Sequence, residues 1–217
     1  MEKLLNTLFP PKCIFCHKST GSIFCGNCLE KVTRLEASTY FINTKTQHPL
    51  KVFSAFEYDG VVRECIKFSK YGARQFSALK TLTDLAVQYT YNLGKKFDNC
   101  VFVPIPLNRR KYRIRGFNQA ELIAKKVALR YHGRVDENLL VRAKETKEQF
   151  RFSKEERLRN VEGAFEVGSR YQGNSEKEPV ILVDDICTTG ATLLEAAKTV
   201  KGAGYSMVSA FTLSRRS

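Results

Sequence analysis

The chain has 217 residues, with 43% hydrophobic and 27% charged side chains, an ordinary globular composition that excludes a disordered, collagenous or mucin-like chain. Lys and Arg number 36 against 22 Asp and Glu, and this +14 formal charge favours polyanionic partners: nucleic acid, phosphorylated ligands or an anionic membrane surface. The longest apolar run, Val101 to Leu107, contains two prolines and falls far short of the ~20 residues of a membrane-spanning helix. The opening residues are too few and too weakly basic for a signal peptide, so a cytoplasmic location is expected.

In chain order, residues 1–35 read as a small separate module. Leu4, Leu5, Leu8 and Phe9 could line one face of a short helix, which Pro10-Pro11 ends. Residues 36–49 are polar and without period, and read as a linker. From residue 50 to 217 strands and helices alternate. Lys51 to Tyr58 is a strand by its β-branched and aromatic content, closed by the Asp59-Gly60 turn. Val61 to Lys70 and Phe76 to Leu93 have helical apolar spacing. Cys100 to Val103 is a short strand, and Asn118 to Tyr131 a helix. Arg142 to Asn160 is polar and charged, a loop with a short helix inside, and Ala164 to Val167 a strand. Val180 to Val183 is an unbroken apolar run, as in a strand buried on both faces. A helix carrying Leu193, Leu194, Ala197 and Val200 follows, and Met207 to Leu213 is the next strand. Strand, helix and strand make a βαβ unit, so the fold class is α/β with a parallel sheet and a right-handed crossover.

Four of the seven cysteines crowd into one short stretch, Cys13-x2-Cys16 and Cys25-x2-Cys28, separated by eight residues. In a reducing compartment such pairs read as metal ligands rather than disulfides. Each pair places two thiolates on one ion, and two pairs complete a zinc tetrahedron with no open position for catalysis. Four unligated thiols in a hairpin, or an iron–sulfur cluster, are the alternatives.

Val180-Ile181-Leu182-Val183-Asp184-Asp185-Ile186-Cys187-Thr188-Thr189-Gly190-Ala191-Thr192 is the most informative stretch. A buried strand leads into two acids, a small hydroxyl-rich loop and a helix start. Unpaired amides and the helix dipole suit a phosphate monoester there, and Thr188, Thr189 and Thr192 add hydroxyl donors. Gly190 permits close backbone approach. The loop lacks the lysine of a triphosphate-binding loop. Asp184 and Asp185, at the carboxyl end of the strand, could hold two sugar hydroxyls directly or through Mg2+. A sugar with a 5-phosphate and vicinal hydroxyls matches this layout. The alternative is plain helix capping with Thr189 as N-cap.

This stretch resembles the ribose-phosphate signature of the type I phosphoribosyltransferases, which bind 5-phosphoribosyl-1-pyrophosphate (PRPP). Pro104-Ile105-Pro106-Leu107, then Arg115-Gly116-Phe117-Asn118-Gln119-Ala120-Glu121-Leu122, then Arg142, Thr146 and Gln149, then Glu156-Arg157 and Asn160 to Phe165, resemble the ComF family of competence-associated proteins. That family also carries an N-terminal four-cysteine zinc module. The resemblance implies a phosphoribosyltransferase-like sheet flanked by helices behind a zinc ribbon. It implies Asp184 and Asp185 on the ribose and in any catalysis, Thr188, Thr189, Gly190, Ala191 and Thr192 around the 5-phosphate, and Pro104 to Phe117, with Arg115, meeting the pyrophosphate with Mg2+. It implies that Arg142 to Asn160 closes over the site. Purine-transferring relatives place an acid where Thr188 stands, and its absence argues against purine transfer.

Arg109-Arg110-Lys111-Tyr112-Arg113-Ile114-Arg115 packs five cations and an aromatic into seven residues. Between Val101 and Asn160 there are 16 basic and 7 acidic residues, so most of the net charge is concentrated there. Such cations could track a phosphodiester backbone, with Tyr112 or Phe117 stacking on bases, or form a solvated face, or serve pyrophosphate alone. The resemblance implies single-stranded DNA on Arg109, Arg110, Lys111, Tyr112 and Arg113, during natural transformation, with DNA-uptake or recombination proteins as partners. Lys67, Lys70 and Arg74 are assigned to the same surface. The expected function is therefore a PRPP-binding competence protein. An active phosphoribosyltransferase of nucleotide salvage, with an unidentified acceptor, is the alternative.

Overall fold

A computed structural model describes residues 12–32, 34–35, 38–42, 49–70, 73–144, 154–171 and 178–216. The helix expected over Leu4 to Phe9 lies outside them, as do residues 36–37 and 43–48 of the expected linker, Tyr71 and Gly72, and Thr146 and Gln149.

Helix α1 (Gly26–Leu29) lies within the cysteine module. Strands β1 (Thr39–Ile42) and β2 (Leu50–Glu57) follow, then α2 (Gly60–Phe68) and α3 (Ala73–Asn92). Next come β3 (Val101–Pro104), α4 (Arg109–Arg115), α5 (Gln119–Arg130) and the short β4 (Arg134–Val135). Strands β5 (Leu140–Arg142) and β6 (Phe165–Val167) pair antiparallel as a separate ribbon, with α6 (Lys154–Val161) between them in sequence. Strand β7 (Val180–Cys187), α7 (Ala191–Gly202) and β8 (Val208–Arg215) complete the described chain.

The main sheet runs β1-β2-β8-β7-β3-β4, parallel throughout except at the edge, where β1 is antiparallel to β2. Its strands are apolar on both faces because helices cover both. Phe102, Ile181, Val183 and Phe211 point into one cluster with Ile66, Leu79, Leu82, Ile123 and Val127 from α2, α3 and α5. Val101, Val103, Val180, Leu182 and Ala210 point the other way, onto Leu193, Ala196 and Val200 of α7. This alternation under helices is the signature of an α/β sheet and matches the expected fold class.

The short β4 and β5 had no counterpart in the sequence expectation, and three further regions differ from it, each for a local reason. Thr39–Ile42, inside the stretch read as linker, is a strand; its Thr-Tyr-Phe-Ile sequence is β-prone but short. The strand that begins at Val180 does not end with its apolar run at Val183. Strand β8 continues opposite it, with Asp184 facing Thr212 and Ile186 facing Ser214, so β7 extends to Cys187. The basic segment at Arg109, expected within a loop from Pro104 to Phe117, is a helix. Asn108 caps it, its side chain accepting from the amides of Arg110 at 2.9 Å and Lys111 at 3.3 Å, and Gly116 ends it at φ 76°.

The cysteine module packs against this framework. Cys13, Phe24, Cys28 and Val32 share one apolar cluster with Phe56, Ile66 and Leu82. The Leu35 amide donates to the Ala55 carbonyl at 3.1 Å, and the Tyr89 hydroxyl donates to the Leu35 carbonyl at 2.7 Å. Among the described residues no helix is long and apolar enough to cross a membrane.

Candidate functional site

The chain leaves β3 towards β4 on one side and leaves β7 towards β8 on the other, although β3 and β7 are neighbours. Strand order therefore reverses between them, and in open α/β sheets ligands settle outside the carboxyl ends at such a point. A cleft of about 330 Å³ lies there. Its walls include Asp184, Asp185, Thr188 and Thr192 from the end of β7 and the start of α7, and Asn108, Lys111 and Arg115 from α4 and its cap. With Lys70, Arg142, Arg157 and Arg216, the lining among the described residues holds six cationic and two acidic side chains.

On the strands beside Asp184 runs a chain of hydroxyls, Thr212 being its register partner on β8 and Ser54 that of Thr212 on β2. The hydroxyls of Ser54 and Thr212 lie 2.6 Å apart, the Tyr40 hydroxyl lies 2.9 Å from that of Ser54, and Thr212 donates to the Ser214 carbonyl at 3.1 Å. The Asp185 amide donates to Asp184 Oδ1 at 2.8 Å, which fixes the first carboxylate relative to the second. Burial, reinforced by the Asp185 carboxylate beside it, pushes the Asp184 carboxyl up to about 8. Asp185 is 8% exposed and ion-pairs with Lys70, whose Nζ stands 3.5 Å from Oδ2.

Beyond the acids the chain turns through Thr188 and Thr189 into α7. Gly190 is the N-cap residue at φ 77°, a conformation that side chains resist. A Cβ at Gly190 would come within 2.5 Å of Ile42, so the close approach that glycine permits here is made by the side chain of Ile42 on β1. Thr189 Oγ1 accepts weakly from the Ala191 amide at 3.4 Å. Thr188 and Thr192 face the cleft, whereas Thr189, Gly190 and Ala191 form the turn behind it. The first amides of α7 have no acceptor within the helix, so the turn offers donors beside the acids.

Helix α4 divides its charge between two faces. Lys111 and Arg115, one turn apart, are half-buried and line the cleft with Asn108, while Arg109, Arg110, Tyr112, Arg113 and Ile114 are exposed. Lys111, grouped by sequence with the DNA-facing residues, thus stands with Arg115 in the cleft. Arg115 Nη1 donates to Gln119 Oε1 at 2.9 Å, and Asn118 Nδ2 donates to the Ile105 carbonyl at 3.0 Å, tying the loop after β3 to α5.

Sequence reading did not place Lys70 or Arg216 in this cleft. Lys70, assigned to an outer surface, reaches the acids from the end of α2, and only the packing of α2 on the sheet brings it there. Arg142, at the end of β5, donates from Nη1 to the Pro106 carbonyl at 3.1 Å and lies over Phe165 at 5.3 Å. Arg157, on α6, donates from Nη1 to Thr188 Oγ1 at 3.4 Å. A guanidinium therefore stands beside Thr188, at the position where a purine-directed acid was expected to be missing.

At the other site, the sulfurs of Cys13, Cys16, Cys25 and Cys28 all lie within 4.8 Å of one another, and Cys16 and Cys25 are 3.6 Å apart. Burial works against a Cys13 thiolate, but the amides of Cys16, Cys25 and Phe15 prevail and bring it down to about 6. Burial and the neighbouring sulfurs push the Cys28 thiol up. Four sulfur donors converging from two knuckles fit a tetrahedral metal ion such as zinc.

No family model matches the chain. The DNA utilization protein YhgH of Escherichia coli O6:H1 is 32% identical over 113 residues, 52% of this chain and 48% of that protein. The chain thus spans about half the length of that relative. Competence protein ComFC of Streptococcus pneumoniae is 27% identical over 195 residues, 90% of this chain and 82% of that protein. Among solved structures, adenine phosphoribosyltransferase of Leishmania tarentolae matches with a TM-score of 0.36 and 12% identity, covering 82% of this chain and 83% of its own. The resemblance read in the motifs holds: the chain is a homologue of competence and DNA utilization proteins.

Proposed function

We propose that this homologue of competence proteins acts in DNA uptake, binding PRPP in the cleft between β3 and β7 and single-stranded DNA on the outer face of α4. One observation carries the first part: two adjacent carboxylates and six cations line a single cleft at the reversal of strand order. A phosphorylated pentose with two anionic ends and a pair of hydroxyls between them complements that lining. Asp184 and Asp185 take the hydroxyls, the turn from Thr188 to Thr192 takes the 5-phosphate, and Lys111 and Arg115 face the pyrophosphate. Carboxylates are the hard oxygen donors that Mg2+ accepts, so the pair fits an ion entering with the pyrophosphate, where it would neutralise developing charge. Thr188 and the Arg157 guanidinium beside it offer no carboxylate to take a proton from a purine acceptor, and binding is proposed in preference to transfer.

Calorimetric titration with PRPP tests this. Asp184→Ala with Asp185→Ala is expected to weaken binding at least ~100-fold, the scale of losing two hydrogen bonds to charged groups, with the circular dichroism unchanged. Unchanged affinity overturns the assignment.

The DNA reading is supported by the names of the relatives and by the exposed face of α4, where Arg109, Arg110 and Arg113 flank Tyr112 at 49% exposure. Cations around an exposed ring suit backbone contact with base stacking. Reversing the charge at Arg109, Arg110 and Arg113 is expected to lower single-stranded DNA affinity about tenfold or more and to flatten its salt dependence, by ~0.7 in logarithmic slope per lost phosphate contact. A gel-shift salt series in which neither changes removes α4 from the interface.

A further inference from the structure

The acid pair already has a cation. Lys70 Nζ lies 3.5 Å from Asp185 Oδ2, with the lysine side chain 22% and the aspartate side chain 11% exposed. The lysine is held in place from outside the site. Its amide donates to the Lys67 carbonyl at 3.1 Å, and the preceding Ser69 is fully buried, its hydroxyl donating to the Ile66 carbonyl at 2.8 Å. Lys70 is therefore presented to the cleft by an anchored helix end and not by a loose surface loop. It also enters from the sheet face that carries α2, opposite the face that carries α7. The ammonium thus sits on the acids without crossing the phosphate turn.

Two carboxylates in sequence, one of them raised by burial, make a place that a free divalent cation would otherwise fill. An ammonium this close must be displaced, or joined by further negative charge, before such an ion can enter. From this geometry we infer that Lys70 is the resident counter-ion of the acid pair, and that it makes entry of a divalent cation conditional on the phosphorylated ligand. The ligand-free cleft rejects free Mg2+ or Mn2+. A phosphate-bearing sugar brings the negative charge that admits the metal. The first statement depends only on the ion pair; the second rests on the phosphoribosyl reading above.

Mn2+ is the probe for the first statement, by electron paramagnetic resonance or calorimetry on the full chain with its cysteine module metal-loaded beforehand. Wild type is expected to take up no Mn2+ at the acids at millimolar concentration. Lys70→Met is expected to bind it at least ~10-fold more tightly, since a unit charge at contact distance has been removed. Lys70→Arg keeps the cation and is expected to behave as wild type, and matched melting curves for the three proteins exclude misfolding. Asp184→Ala with Asp185→Ala in the Lys70→Met background is expected to abolish the gained site. Equal Mn2+ affinity in wild type and Lys70→Met overturns the inference.

Ribose 5-phosphate with Mg2+ added or omitted, the cysteine module staying metal-loaded, tests the second statement. By linkage its affinity is expected to rise about tenfold with Mg2+ in wild type, where ligand and metal admit each other, and to change little in Lys70→Met, where the metal enters without the ligand. Identical responses to Mg2+ in both proteins overturn that part. Failure of ribose 5-phosphate to bind either protein removes the phosphoribosyl reading, while the Mn2+ comparison still decides the role of Lys70.

Discussion

At the cysteine module, four sulfurs lie within 4.8 Å of one another; at the cleft, two carboxylates follow each other along one strand. Both places gather negative charge in partly dry surroundings, and they resolve it differently. The module brings only sulfur, with local amides that favour one thiolate, so its charge waits for a metal ion. The cleft carries its own cation in Lys70, and burial beside Asp185 raises the Asp184 carboxyl. The module thus suits closure by an ion, and the cleft, on the function proposed above, entry of a ligand.

The largest expected effect separates the two by stability. Cys13→Ser removes one of four ligands from a site whose neighbours, Phe24, Cys28 and Val32, belong to the same apolar cluster as Phe56 and Leu82. Metal affinity in such sites is folding free energy, so the loss is expected to reach at least ~3 kcal/mol, read as a lower urea midpoint together with loss of one zinc per chain. Because the cluster is shared, the damage should spread to the sheet and not stay within the module. Equal zinc content and an equal midpoint in the variant would falsify the metal assignment. A variant without zinc but with full stability would instead make the module an appendage.

The two regions also differ in how far the sequence revealed them. The cysteine site is local: two C-x2-C pairs define it, because every donor lies between Cys13 and Cys28. The cleft was half legible. Asp184, Asp185, Thr188 and Thr192 follow one another along the chain, and the apolar run before them marks the central strand. Helix α4 was visible as charge but not as a helix, since its stability comes from the Asn108 and Gly116 caps and not from apolar period. Its division into a cleft face and an outer face follows only once it is helical. Lys70 and Arg216 had no signal that pointed to the cleft, and Arg142 and Arg157 were expected over it only through the resemblance. They converge through the packing of α2, α6 and the β5–β6 ribbon around the ends of β3 and β7, a long-range arrangement that no spacing rule encodes.

A smaller effect, in pH, gives the comparison opposite signs at its two ends. Metal-binding thiolates must lose their protons, so the module weakens as pH falls and protons compete for sulfur. The Asp184 carboxyl behaves in reverse. Its folded value, about 8, lies above the unfolded value near ~3.9, so between roughly pH 4 and 8 the folded state holds a proton that the unfolded state has released. Its contribution to stability is therefore fully present on the acid side and is lost as pH rises through that window. Asp184→Asn keeps the shape and cannot ionise, so it is expected to melt higher than wild type at pH 8.5, with the gap closing towards pH 5.5. The difference should be on the order of 1–2 kcal/mol, because Lys70 and entering water soften the buried charge, and it amounts to a few degrees in Tm. Zinc-saturated, ligand-free protein isolates this from the module. A gap that is constant across the range would mean that Asp184 is ionised throughout and that Lys70 alone neutralises the pair; one that widens towards acid would mean that its carboxyl is lowered by folding and not raised.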